Sequence, residues 1–171
     1  MNDINLEDIA NRNWLTRDEA IAYIGKNSEY YLEKWGRHQK SFYKGWNWAA
    51  ALFRIEWMAY RKMYVEAVLV LIAVMVLGIA IDGLLRFLNI RLPEGLFTLA
   101  IQVLIGFFAN GLYRMKALRT LQKTRHMDAP QRLSYLSKKG GTSLVGLFVF
   151  LCMQIIAFAI IPMVVIPMII R

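Results

Sequence analysis

Three long apolar stretches divide this chain, at residues 65–85, 96–113 and 144–170. A hydrocarbon core of about 30 Å takes roughly 20 residues of α-helix to cross, because each helical residue advances about 1.5 Å. The first stretch contains two acids, Glu66 and Asp82, and the other two contain no charged side chain. The sequence therefore predicts an all-α membrane protein with three transmembrane helices.

Basic residues are distributed unevenly among the loops. The net charge is +9, and lysine plus arginine number ten in residues 1–62, two in 86–95 and eight in 114–139. Short loops rich in lysine and arginine stay on the cytoplasmic side of a membrane. We therefore expect the N-terminus and the 114–139 loop to be cytoplasmic, and the 86–95 loop and the C-terminus to be external. This placement also makes membrane lipids, rather than nucleic acid, the expected anionic partner.

The first 41 residues are polar and predict a small cytosolic head of short helices. Residues 5–13 form a first candidate helix. A capping box follows at Thr16-Arg17-Asp18-Glu19, where a hydroxyl and a carboxylate can satisfy the first free amides of a helix. This box predicts a second helix at residues 17–25, in which three residues are buried: Ala20, Ile21 and Ile24.

A third short helix is predicted at residues 28–35, and Gly36 is expected to end it. Tyr30, Tyr31 and Trp35 make one of its faces aromatic. Helices this short are marginally stable alone. We therefore expect them to pack on each other or on the rest of the protein.

An aromatic-rich segment, residues 42–62, connects the head to the membrane domain. Tyrosine and tryptophan collect where headgroups meet hydrocarbon. Arg54 and Glu56 lie near the middle of the segment, and each such charge adds about 2.5–3.5 kcal/mol to insertion at a helix centre. Neither glycine nor proline offers a hairpin turn before the first crossing. The sequence thus predicts an interfacial or half-inserted helix at residues 46–60, with a re-entrant segment as the alternative.

The remaining residues, 63–171, are predicted to form the membrane domain, with three crossings: about 63–85, 96–113 and 143–165. The second crossing is expected to continue as a helix beyond the headgroups to about Gln122. Proline removes a helical hydrogen bond. Pro162 and Pro167 are therefore expected to kink or end the third crossing, leaving a separate short piece at its outer end.

Four short blocks stand out between residues 23 and 123. They read, in order, Gly25-Lys-Asn-Ser-Glu-Tyr-Tyr-Leu-Glu-Lys-Trp35, Trp46-Asn-Trp-Ala-Ala50, Trp57-Met-Ala-Tyr-Arg-Lys-Met-Tyr64 and Gly106-Phe-Phe-Ala-Asn-Gly-Leu-Tyr113. In this order they resemble a family of small bacterial inner-membrane proteins defined as a domain of unknown function. The resemblance implies a bacterial inner-membrane location and no known reaction. The chain departs from it at residues 51–54, where the family tends towards aromatics and a glycine.

Eight polar residues are candidates for binding: Asn47, Arg54, Glu56, Arg61, Lys62, Glu66, Asp82 and Asn110. Ionisable groups within a bilayer tend to face a protein interior, a partner or a water-filled path. Glu66 and Asp82 lie about 24 Å apart along one helix. Either could be an ion or proton site, although Glu66 is also one turn from Lys62 and could pair with it.

Four of the other candidates are expected to contact lipid, a partner or a neighbouring helix, while Asn47 and Glu56 are placed within the aromatic segment. Arg54 could bind a lipid phosphate or a partner carboxylate, while Arg61 and Lys62 are expected to anchor headgroups. Asn110 lies beside small residues that permit close approach, and it is placed to hydrogen-bond a neighbouring helix.

The sequence contains no motif for catalysis or for a bound metal. It has no phosphate-binding glycine loop, HExxH, GxSxG or CxxC. A single cysteine, Cys152, cannot form an intrachain disulfide, and His38 and His126 are far apart. We therefore expect neither enzyme activity nor a cofactor.

These features predict an accessory or scaffold subunit of a bacterial inner-membrane assembly. It would bind a protein partner or anionic lipid at the cytoplasmic face, and its partners would be membrane lipids and another membrane protein or copies of itself. The alternative is a homo-oligomeric channel or transporter in which Glu66 and Asp82 are ion or proton sites.

Overall fold

The computed structural model describes residues 15–37, 45–93, 95–124 and 126–169, with side-chain environments as far as residue 160. All secondary structure in these residues is helical, which confirms the all-α part of the predicted fold class. The candidate helix at residues 5–13 lies outside the described residues. The helices are α1 (Arg17–Ile24), α2 (Ser28–Arg37), α3 (Trp48–Tyr60), α4 (Tyr64–Phe87), α5 (Leu96–Gln122), α6 (Ala129–Lys139) and α7 (Leu144–Ile169).

The predicted capping box begins α1. The Thr16 hydroxyl accepts a hydrogen bond from the Glu19 backbone N–H at 3.3 Å, and the Glu19 carboxylate accepts one from the Thr16 N–H at 2.9 Å. Ala20 and Ile24 are buried as expected, but Ile21 is 37% exposed, so its predicted burial was wrong. The buried face of α1 follows the helical spacing of Ala20, Tyr23 and Ile24 and leaves Ile21 at its side.

The aromatic face of α2 is partly buried. Tyr31 and Trp35 are enclosed, whereas Tyr30 is 37% exposed. The expected stop at Gly36 was wrong, because α2 continues through Gly36 to Arg37. A glycine inside a helix weakens it by only about 1 kcal/mol, so one glycine does not by itself end a helix that is packed on its neighbours.

A short, kinked helix, α3, occupies the aromatic segment. Asn47 caps it by accepting a hydrogen bond from the Ala50 N–H at 3.0 Å, and Arg54 kinks it with φ 44° and ψ −116°. Its 13 residues span about 20 Å, less than a hydrocarbon core of about 30 Å. The expectation that no turn follows this helix was wrong. Lys62 has φ 57°, uncommon but allowed for a non-glycine residue, and the Met63 N–H donates to the Met58 carbonyl at 2.8 Å.

Three helices are long and apolar enough to cross a membrane: α4, α5 and the segment that ends in α7. The predicted extension of the second crossing is confirmed, because α5 continues to Gln122. The expectation that the third crossing ends in a separate short piece was wrong, because α7 continues past Pro162 and Pro167 to Ile169.

The kinked helix α3 lies at the centre of the packing among the described residues. It packs on α5, α4 and α7, while α1 packs on α6 and α2 packs on α1 and α5. The long helices α4, α5 and α7 therefore meet chiefly through α3 rather than along one another. In the most apolar window of α4, 0% of the residues are buried within the chain.

Gly106 allows the closest approach of α5 to the start of α3. A Cβ atom there would lie 2.8 Å from the Trp46 ring and 3.0 Å from the Ala51 Cβ. We therefore expect Gly106→Ala to lower the free energy of unfolding by about 1–3 kcal/mol, the usual effect of overpacking. The thermal midpoint of the detergent-solubilised protein measures this loss. Gly83→Ala in α4 is the control, since a Cβ there meets no described atom within 4 Å. Equal losses in the two variants would contradict the prediction.

Candidate functional site

Two buried asparagines link the start of α3 to the middle of α5. The Asn47 side-chain amide donates to the Asn110 side-chain oxygen at 2.7 Å, and the Asn110 amide donates to the Gly45 carbonyl at 3.0 Å. Asn47 is 2% exposed and Asn110 is 0% exposed. Buried polar groups are stable when they are hydrogen-bonded in this way. The predicted interhelical hydrogen bond of Asn110 is confirmed, and its partner is another of the candidate residues.

Backbone groups extend this contact to the head. The Trp35 indole N–H donates to the Asn110 backbone carbonyl at 3.2 Å, which joins α2 to α5. The Asn47 backbone N–H donates to the Gly106 carbonyl at 2.9 Å. The head, α3 and α5 therefore share one hydrogen-bonded junction.

Arg61 forms the second half of this junction and is 3% exposed. Its guanidinium donates to the Ile24 carbonyl at 3.2 Å and to the Lys26 carbonyl at 3.2 and 3.3 Å. The same group lies 4.7 Å from the ring centre of Tyr31 and 5.4 Å from that of Tyr113. The expectation that Arg61 anchors headgroups was wrong, because carbonyl oxygens and ring faces enclose it.

Two buried phenols of the head, those of Tyr23 and Tyr31, are held in their neutral form. Burial raises the pKa of Tyr23 and of Tyr31, and the Arg61 guanidinium opposes the shift of the Tyr31 pKa by a smaller amount. Tyr31 therefore stays protonated at neutral pH. It presents a neutral ring face to the cation, which is the arrangement that favours a cation–π contact.

A buried ion pair fastens the head to α6, and sequence reasoning did not find it. Arg132 Nη1 lies 3.4 Å from Glu19 Oε1, and these side chains are 7% and 5% exposed. Arg132 Nη2 also donates to the Met127 carbonyl at 2.9 Å. The capping box explains one local hydrogen bond of the Glu19 carboxylate. No sequence pattern predicts its second contact, with Arg132, which lies 113 positions later.

Glu66 is paired across two helices. Its carboxylate lies 3.2 Å from Lys116 Nζ of α5, and these side chains are 21% and 20% exposed. The expected pairing with Lys62 was wrong. Lys62 Nζ instead donates to the Lys138 carbonyl at 3.2 Å, and the Lys62 carbonyl accepts from Lys116 Nζ at 2.5 Å.

The remaining candidate residues are Asp82, Arg54 and Glu56. Asp82 pairs with Arg86 one turn further along α4 at 2.8 Å, with 61% and 81% exposed side chains, and such exposed pairs contribute little to stability. Arg54 lies at the kink of α3, and its buried Nε has no hydrogen-bond partner among the described residues. Glu56 lines a cavity of about 510 Å³ beside α3.

The described residues bring together no group of three or more His, Cys, Asp or Glu side chains that could hold a metal ion. Cys152 is half-buried in α7, and His126 is exposed. The contacts around the junction are hydrogen bonds, a cation against aromatic rings, and the buried Glu19–Arg132 ion pair.

All four sequence blocks meet at this junction. The first supplies Tyr31 and Trp35, the second Asn47, the third Arg61, and the fourth Asn110 and Tyr113. The fold and the junction define a class of small all-α proteins in which a helical head is fastened to three helices that could span a membrane.

Within this class, the chain belongs to the family described as Protein of unknown function (DUF2628), whose model matches residues 17–119. The match covers α1 to α4 and most of α5, so it contains the whole Asn47–Asn110 and Arg61 junction. The predicted resemblance to an uncharacterised family is thereby confirmed. Neither the curated proteins nor the solved structures gave a match.

Proposed function

We propose that the protein is an accessory or scaffold subunit of a bacterial inner-membrane assembly, and that it docks a partner membrane protein. The observation that carries this proposal is the unpacked apolar surface of the long helices. The share of buried residues in the most apolar window is 0% for α4 and 6% for the segment ending in α7. Membrane helices associate through close packing of their surfaces. These surfaces are available to the helices of a partner.

The distribution of charge supports a cytoplasmic position for the head. Four basic residues are exposed on the end of α5 and on α6: Arg119, Lys123, Lys138 and Lys139. Because α6 packs on α1, these residues lie at the same end of the molecule as the head. Basic residues next to membrane helices remain in the cytoplasm. The 86–95 loop and the C-terminus would then lie on the external side.

The proposed mechanism is docking without chemistry. The junction around Asn47, Asn110 and Arg61 fixes the head relative to the long helices. The apolar faces then contact the partner within the membrane, and the basic end faces its acidic surface or anionic lipid. We assign the protein no catalytic role, because the polar groups of the junction bind each other.

A homo-oligomeric channel or transporter is the alternative. In that case Glu66 and Asp82 would have to serve as ion or proton sites in several copies. Both carboxylates have a basic partner in the single chain, Lys116 and Arg86, so we rank this function second.

Native mass spectrometry of the protein, expressed from its own chromosomal locus and gently solubilised, tests the proposal. We expect a complex of fixed stoichiometry with a second membrane protein. A second sample carries Leu69→Trp and Val76→Trp at exposed positions of α4. This variant should dissociate the complex and leave the head folded. A ring of identical copies would favour the channel, and a lone chain would contradict both functions.

A further inference from the structure

A cavity of about 510 Å³ lies between α2, α3 and the start of α7. This volume falls within the range of about 300–1,000 Å³ that small-molecule sites occupy. Its wall is dominated by aromatic side chains: Tyr30, Trp48, Phe53, Trp57 and Tyr60. Three residues of the junction, Tyr31, Asn47 and Arg61, also line this cavity.

Glu56 is the one acidic residue in the described wall of this cavity. It is half-buried, and it has neither a hydrogen bond nor an ion pair with any residue that the structure describes. Arg61 is the one basic residue in the same wall, but its Nη groups bind the Ile24 and Lys26 carbonyls. The Glu56 carboxylate and the Arg61 guanidinium therefore line the same cavity without forming an ion pair with each other.

A carboxylate surrounded by aromatic faces selects organic ammonium groups. The rings attract a cation through their electron-rich faces, and the carboxylate adds direct charge attraction. A metal ion would need several oxygen, nitrogen or sulfur ligands, and the described wall supplies one carboxylate. The cavity thus fits a positively charged nitrogen.

The position of the cavity indicates where that nitrogen comes from. Leu144, the first residue of α7, lines the cavity and is 72% exposed, at the start of a helix apolar enough to enter a membrane. Trp48 and Phe53, which also line the cavity, are 71% and 62% exposed. Exposed aromatic residues beside an apolar helix end are typical of the level of lipid headgroups.

The geometry points to a binding site for the ammonium headgroup of a zwitterionic membrane phospholipid, with Glu56 pairing with the ammonium and the aromatic wall enclosing it. This site belongs to the single chain and requires no partner subunit. It is also distinct from the anionic-lipid contact of the basic end, because none of the four exposed basic residues of that end lines the cavity.

Lipid retention by the purified, delipidated full chain in detergent tests the assignment. Short-chain phosphatidylethanolamine and phosphatidylglycerol are added in equal amounts, and bound lipid is counted by native mass spectrometry. We expect phosphatidylethanolamine to be retained preferentially. Glu56→Gln should reduce this preference roughly ten-fold, the lower end for losing one hydrogen bond to a charged group. The Glu56→Gln variant should remain folded, because Glu56 makes no hydrogen bond or ion pair with any described residue.

Asp18→Asn is the matched control, because Asp18 is an exposed acid of α1 that does not line the cavity, and its removal should leave lipid preference unchanged. Equal retention of the two lipids would overturn the ammonium site, and so would an unchanged preference in Glu56→Gln. Free ethanolamine is added as a separate competitor. Displacement of the lipid by an equal concentration of ethanolamine would overturn the membrane source and identify a site for a soluble amine.

Discussion

Asn110→Leu should separate α3 from α5 and give one of the two largest losses of stability in the chain. The substitution leaves the Asn47 side-chain amide and the Gly45 carbonyl without their buried partner. A buried polar group without a hydrogen bond destabilises the fold by about 1–3 kcal/mol, so two such groups are expected to lower the unfolding free energy by a few kcal/mol. Thermal unfolding of the detergent-solubilised protein, followed by tryptophan fluorescence, measures the loss.

Gln102→Leu is the control for this experiment. Gln102 is the other amide of the second apolar stretch, and it has no hydrogen bond to a described residue. A double-mutant cycle with Asn47→Ala removes the separate effect of the α3 cap, and directly bonded residues typically couple by about 0.5–3 kcal/mol. Equal losses for Asn110→Leu and Gln102→Leu, or a coupling of zero, would contradict a junction built on this pair.

Arg61→Lys should release the head although the charge is kept. All the hydrogen-bond donors of lysine are on one nitrogen atom. They cannot replace the two Nη groups of the planar Arg61 guanidinium, which donate to the Ile24 and Lys26 carbonyls together. Each hydrogen bond lost from a charged group is worth about 1.5–3 kcal/mol. We therefore expect backbone amides of α1 and α2 to exchange with solvent deuterium faster, while amides in the middle of α4 keep their exchange rates.

Arg119→Lys on the exposed surface of α5 is the control substitution. It makes the same chemical change at a position where no described carbonyl accepts a hydrogen bond from the side chain. Unchanged protection of α1 and α2 in Arg61→Lys would show that the head docks without this guanidinium. Faster exchange throughout the chain would instead indicate general destabilisation rather than release of the head.

Sequence reasoning succeeded where the determinants are local. The Thr16–Glu19 capping box fixes the start of α1, because a hydroxyl and a carboxylate three residues apart satisfy the same free amides in any context. Apolar stretches long enough to cross a bilayer fix the existence of α4, α5 and α7 for a similar reason. Neither inference needs knowledge of what lies beside the helix.

Sequence reasoning failed where the determinant is a contact between distant residues. Asn47 and Asn110 were both candidates, but 63 positions separate them and nothing local pairs them. Arg61 was expected to contact headgroups because it is a basic residue next to a long apolar helix. Its burial depends instead on the Tyr31 ring of α2 and the Tyr113 ring of α5. Lys62 was not expected to turn the chain because it is not glycine, yet its backbone is left-handed. Its N–H donates to the Ala59 carbonyl, and its own carbonyl accepts from Lys116 of the distant helix α5.

The junction also orders events during synthesis. The head leaves the ribosome before α5 does. The Asn110 carbonyl, which accepts the hydrogen bond from the Trp35 indole N–H, is synthesised 75 residues after Trp35. Tyr113, whose ring covers Arg61, follows three residues after that. The head therefore cannot reach its final position until the first two long helices have been translated and placed. A docked head is therefore a sign that α4 and α5 have been synthesised and have packed against α3.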